Sequence, residues 1–161
     1  MRILIICHAN TSRSIIAQAL LEQRLEERAL CGCVHVSSGG VAPFARDGAL
    51  VSLDARLVLR DEGIDVPPES VATDLKANRH LVSEADLILA MTRAQIEMLR
   101  IAFPEATGKP VFTWKEFAGV AGDIEDPAGR EPEVFAACRD EIKACVEQII
   151  DRIRSAVGSR Q

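Results

Sequence analysis

Apolar and polar residues alternate in blocks along the chain, and the period of the alternation changes from block to block. RILII, residues 2–6, is a short β-branched run ending at Cys7, and it predicts a strand buried on both faces. A polar loop follows, and then Ile16, Leu20, Leu21 and Leu25 recur at helical intervals up to the charged stretch EQRLEER. CVHVSSGG reads as a second strand stopped by its Ser/Gly turn, so the first forty residues predict a βαβ unit with a parallel strand pair. Leu50, Leu53 and Leu57 mark a further helix, closed by Gly63 and by Pro67 and Pro68. ADLILAM predicts a third strand, Ile96, Leu99 and Phe103 a helix ended by Pro104, and KPVFTW a short fourth strand. One long last helix is expected from Pro132, carrying Phe135, Cys138, Ile142, Cys145, Ile149 and Ile153 on a single stripe. Alternating strands and helices imply a single α/β domain over residues 1–161. The expected architecture is Rossmann-like: an open, doubly wound sheet of about four parallel strands with helices on both faces.

Composition narrows the partners. The chain is 48% hydrophobic and 27% charged, an ordinary globular balance, and its net charge of −5 argues against a surface that grips nucleic-acid phosphates. The apolar run near the start is too short for a signal-peptide core, and no stretch approaches the roughly 20 apolar residues of a membrane span. A cytoplasmic address without membrane partners is expected. The five cysteines, Cys7, Cys31, Cys33, Cys138 and Cys145, form no CxxC pair, and His8, His35 and His80 lie at no zinc-ligand spacing from them. Neither a disulfide framework, a structural metal nor a cofactor is expected. Cys31 and Cys33 fall near the end of the first helix, and Cys138 and Cys145 on the stripe of the last.

The chemistry gathers at CHANTSRS. Ligands bind such sheets beyond the carboxyl ends of the strands, and Cys7 stands at one such end. The loop His8, Ala9, Asn10, Thr11 and Ser12 then turns into a helix whose first amides lack intrahelical partners and attract an anion, expected to be a phosphate. Asn10 tolerates the left-handed conformation that such a turn needs. A thiol in that cradle is favoured as thiolate by the same dipoles, which makes Cys7 a candidate nucleophile. Arg13 offers a planar fork for two phosphoryl oxygens, and Ser14 can donate to the sulfur. With fifteen arginines and five cysteines, C-x5-R arises somewhere by chance in roughly two sequences of five, but only Cys7 has strand before, small polar loop within and helix after. His8 reads as a solvent-facing rim residue, the alternative being that it adds to anion attraction when protonated.

Phosphoryl transfer to a thiolate needs a proton donor for the leaving group. The candidate is Asp126 in GDIEDPAG, where Pro127 biases it to an extended conformation and Gly122 and Gly129 bracket the loop; Asp123 is the runner-up.

CHANTSRS, SSGG, ADLILAM and DIEDPAG, in that order and spacing, resemble the low-molecular-weight protein tyrosine phosphatases over almost the whole chain. The resemblance implies the phosphotyrosine protein phosphatase I-like fold, a phosphocysteine intermediate on Cys7, phosphate binding by Arg13, assistance from Ser14, and acid and base roles for Asp126. It also implies that Asn10 shapes the cradle and that Ser38 hydrogen-bonds Asn10. The family loop usually reads C-x-G-N-x-C-R-S-P, whereas Ala9, Ser12 and Ile15 stand here for the glycine, second cysteine and proline. Ala9 adds a methyl group where an unusual backbone conformation is expected, and Ser12 removes the neighbouring thiol with which Cys7 would pair on oxidation. Phe44 aligns with an aromatic wall of the family's pocket. Thr11 stands where the phosphotyrosine enzymes carry a larger apolar residue and the branch resembling protein arginine phosphatases carries threonine. The implied partner is a phosphorylated protein or small phosphate substrate, with phosphoarginine beside phosphotyrosine. Two alternatives share these residues: a thiol-dependent arsenate reductase, and a phosphate-binding pseudo-phosphatase.

Overall fold

A computed structural model describes residues 1–158 of the 161, so the last three residues of the expected domain lie outside the described part. β1 (Arg2–Cys7) is followed by α1 (Arg13–Glu27), β2 (His35–Gly40), α2 (Leu53–Arg60) and α3 (His80–Glu84). β3 (Leu87–Ala90), α4 (Arg93–Ala102), a 3-10 turn (Pro104–Ala106), β4 (Val111–Thr113), α5 (Trp114–Ala118), α6 (Pro132–Ala144) and α7 (Val146–Gly158) complete the described chain. The four strands form one parallel sheet in the order β2-β1-β3-β4, with Cys7 opposite Gly40 and Ile6 opposite Ala90.

The period-two geometry of β1 divides the core. Ile3, Ile5 and Cys7 face a cluster built with Ile16 and Leu20 of α1, Trp114 of α5, Phe135 of α6 and Ile149 of α7. Leu4 and Ile6 face a second cluster containing Val82 of α3, Ile96 and Leu99 of α4, and Phe103 just after it. From Ile3 to Cys7 every residue of β1 is buried, which is why its sequence shows a continuous apolar run and not an alternation. α1 therefore leaves β1 toward one face and α4 leaves β3 toward the other, opening a crevice between the carboxyl ends of β1 and β3.

Several elements differ from the sequence expectation. α2 starts at Leu53, where Ser52 accepts from the Ala55 amide at 3.1 Å, and Leu50 lies outside it in an isolated antiparallel bridge with Val71. The leucine stripe faces outward: Leu50 is 64% and Leu53 60% exposed, while Ala55, Val58 and Leu59 form the buried face. Both stripes have helical spacing, and it is Ala55, Val58 and Leu59 that pack into the first core. The second strand begins at His35, two residues later than CVHVSSGG suggests, and the fourth ends at Thr113. Trp114 opens α5, fully buried, with its indole Nε1–H donating to the Ile142 carbonyl at 3.0 Å. The long last helix is two, α6 and α7, separated at Cys145; the apolar stripe runs unbroken across the junction, so its period gives no sign of the break. α3 and α5 span five residues each, too short for a periodic signal.

Candidate active site

β1 delivers Cys7 to the carboxyl edge of the sheet, and the chain folds back over the sulfur before α1 begins. Asn10 makes the turn possible with a φ of 60°, whereas Ala9 keeps a negative φ, so its methyl group carries no left-handed strain. The loop is held from outside by its carbonyls. Val41 donates to the Cys7 carbonyl at 2.9 Å, Ala42 to that of His8 at 3.0 Å and Ser52 to that of Thr11 at 2.9 Å. Within a trans peptide plane the following N–H points the opposite way, which turns the Ala9 and Ser12 amides to the concave side. The Asn10 amide donates to Cys7 Sγ at 3.3 Å. Close approach of β2 to this loop depends on Gly40, where a Cβ would lie 2.8 Å from the Ala9 carbonyl carbon, the His8 oxygen and the Ala45 Cβ.

A buried network fixes the direction of the hydrogen bond to sulfur. The Thr73 amide donates to Asn10 Oδ1 at 2.8 Å, which assigns Nδ2 as the other end of the side-chain amide. Nδ2 donates to Ser14 Oγ at 2.7 Å and to Ser38 Oγ at 2.9 Å. Ser14 Oγ, 2.9 Å from Cys7 Sγ, thus has its own proton free to donate to a thiolate. Ser38 Oγ in turn donates to Gln18 Oε1 at 2.5 Å. Gln18 was not legible as part of this chain of bonds; its position one helical turn beyond Ser14 is the only sequence signal for it. Ser12 is buried at the start of α1 and makes no side-chain cap; Thr11 is half-buried at the lip of the loop.

Arg13 joins the cradle to a distant loop. The residue is 2% exposed; Nη1 donates to the Ile124 carbonyl at 2.8 Å and Nη2 to His8 Nδ1 at 3.1 Å, and Nη2 lies 3.5 Å from Asp126 Oδ2. Ile124 is itself tied to the end of β3, its amide donating to Met91 at 2.8 Å, so the loop crosses the crevice. Gly122 and Gly129, which bracket it, both take positive φ. Asp126 Oδ1 accepts from the Ala128 amide at 3.0 Å, leaving Oδ2 toward the arginine. Asp123 is drawn elsewhere: its Oδ1 accepts from the Arg93 amide at 3.0 Å and anchors the first turn of α4.

Two further residues stand near the rim of the loop. Phe44 is 67% exposed, outside the core, with its ring 6.3 Å from that of His8 and tilted by 39°. His8 is partly buried, and its imidazole is held below its ordinary value by burial first and then by Arg13, with Asp126 opposing. Its Nδ1 faces Arg13 Nη2, a group that can only donate, where the sequence suggested a ring turned to solvent. Among the other thiols, burial pushes Cys138 up to about 12 and also raises Cys145. Cys31 and Cys33 are exposed in the turn before β2, at the opposite edge of the sheet from Cys7.

Binding a phosphate requires amides and an arginine; a thiol beneath them adds nothing to binding and is what a phosphoryl acceptor needs. That combination on a doubly wound sheet is the arrangement of a cysteine-dependent phosphatase. The chain belongs to the low molecular weight phosphotyrosine protein phosphatase family, whose model matches residues 2–159. It is 39% identical over 155 residues to a protein-arginine-phosphatase of Geobacillus stearothermophilus, covering 96% of this chain and 97% of that protein. Identity is 35% over 153 residues to a probable low molecular weight protein-tyrosine-phosphatase, EpsP, of Ralstonia nicotianae, covering 95% and 96%. A solved structure of YwlE arginine phosphatase, a cysteine-to-serine variant with a phosphorylated active-site serine, superposes with a TM-score of 0.85 at 30% identity over 96% of both chains. Among the described residues no helix is long and apolar enough to cross a membrane.

Proposed function

We propose that this phosphatase works through a phosphocysteine on Cys7, with Asp126 as acid and then base, and that phosphoarginine in proteins is among its substrates. The observation that carries the reading is Arg13, which holds the Cys7 loop and the Asp126 carboxylate, far apart in sequence, within one site. Cys7 Sγ attacks phosphorus, the S–P bond forms as the P–O or P–N bond breaks, and a proton on Asp126 passes to the departing oxygen or nitrogen. Asp126 then takes a proton from water as that water attacks phosphorus; the S–P bond breaks and inorganic phosphate leaves. The inward amides and Arg13 stabilise charge on the equatorial oxygens, and Ser14 donates to the sulfur as it departs. Support for the intermediate comes from the phosphorylated active-site serine in the related YwlE variant.

Support for phosphoarginine comes from the arginine-phosphatase relative and from Thr11. Its half-buried, hydroxyl-bearing side chain stands at the lip, where a polar leaving group departs. A relay of thiols for arsenate has no support in the geometry, since the exposed cysteines are at the far edge of the sheet and Cys138 is kept as a thiol by burial. Initial rates on phosphoarginine and phosphotyrosine peptides, in chelator, test the reading. Wild type is expected to turn over phosphoarginine and Thr11→Ile to shift preference toward phosphotyrosine. Cys7→Ser should abolish turnover, and Asp126→Ala should lower it by roughly 10²–10⁴-fold. Turnover surviving Cys7→Ser overturns the mechanism, and wild type inactive on phosphoarginine overturns the substrate.

A further inference from the structure

Arg13 holds the phosphoryl group in the reading above, and the inference that follows rests on that role. An arginine in such a site must present its fork in one orientation before the anion arrives, or part of the binding energy goes into ordering it. Nη1 is fixed by a backbone carbonyl, Ile124 at 2.8 Å. The second nitrogen is fixed by a side chain, His8 Nδ1 at 3.1 Å, and only weakly by Asp126 at 3.5 Å. A guanidinium has no acceptor and does not give up its proton, so the ring nitrogen facing it carries the lone pair. His8 is therefore neutral in this arrangement, with its proton on Nε2. The Phe44 ring, in the loop after β2, stands 6.3 Å from the imidazole and tilted to it.

We propose that His8 is a positioning residue for phosphate binding: its neutral imidazole accepts from Arg13 Nη2 and sets the arginine fork before substrate arrives. Protonation of Nδ1 would replace the acceptor with a donor and bring a second cation against the guanidinium, so the same contact makes phosphate capture sensitive to acid. The charged groups acting on the ring are Arg13, from the start of α1, and Asp126, from the loop before α6. Arg13 opposes charging and Asp126 favours it, with burial weighing against charge more than either. The sign follows: the imidazole stays neutral through the neutral range, and the clamp is lost only as pH falls below the ordinary histidine range.

The test compares wild type, His8→Leu, His8→Asn and Arg13→Ala by the inhibition constant of inorganic phosphate and by the pH profile of kcat/KM for an aryl phosphate. His8→Leu is expected to weaken phosphate binding and lower kcat/KM roughly tenfold, the worth of one hydrogen bond to a charged donor. His8→Asn, whose amide oxygen takes the place of Nδ1 and does not titrate, recovers most of that loss. On the acid side wild type falls more steeply than His8→Asn; the substrate's own ionisation is common to both and cancels. His8→Leu within twofold of wild type, or superimposable acid limbs for wild type and His8→Asn, overturns the proposal. Should His8→Leu fail to fold, the two acid limbs still decide. Phosphate binding that survives Arg13→Ala removes the phosphate-site reading itself, whereas its loss there with His8→Leu unaffected removes the role of His8 alone.

Discussion

Asn10 holds more of the site together than any other side chain. It supplies the left-handed turn, accepts from Thr73, and donates to both Ser14 and Ser38, which orients the Ser14 proton toward Cys7. Asn10→Asp keeps the turn-forming shape and the acceptor but replaces the donor by an oxygen, so Ser14 would donate to the new carboxylate and abandon the sulfur. A fall of about tenfold or more in kcat is expected, with circular dichroism unchanged, the loss corresponding to a hydrogen bond to a charged group. Steady-state rates on an aryl phosphate measure it. The places of Cys7 and Asn10 were legible because strand, small loop and helix are local features. The contact of His8 with Arg13 was not, because it is fixed by how the Arg13 side chain runs.

At the scale of elements, the loop depends on what β2 lets it approach. Gly40 ends that strand directly opposite Cys7, its amide donating to Thr73 at 2.8 Å and its carbonyl accepting from Leu75 at 3.1 Å, so neither side can move freely. Gly40→Ala would push its methyl group into the backbone of Ala9 and His8. Destabilisation of about 1–3 kcal/mol is expected from overpacking, together with loss of turnover, read by urea unfolding and initial rates. The glycine was visible in SSGG only as a turn signal; strand pairing makes it a point of close approach. α2 teaches the opposite lesson. Its leucines advertise an apolar face, yet Leu53 and Leu57 look outward and Ala55, Val58 and Leu59 look in. Spacing alone could not choose between two stripes on one helix.

Across the whole molecule, the two edges of the sheet separate the thiols by function. Cys7 sits at the carboxyl edge and Cys31 and Cys33 at the amino edge, while Cys138 and Cys145 lie within the first core. Burial keeps the last two protonated and out of reach. In a Cys7→Ser protein a thiol reagent at neutral pH is expected to modify Cys31 and Cys33 rapidly and Cys138 and Cys145 only after denaturant. Mass spectrometry of the labelled peptides checks this; fast native labelling of Cys138 would contradict the packing of α6.

By itself the sequence determined the parallel α/β order, the strand-loop-helix around Cys7 and the presence of an arginine and a DP step suited to phosphate chemistry. Each is written in local spacing, turn residues or side-chain type. Tertiary structure decided which aspartate stands beside Arg13, because Asp126 reaches it while Asp123 anchors α4. It also decided that the His8 ring meets Arg13, since only the fold brings the imidazole against a buried guanidinium that cannot accept a hydrogen bond.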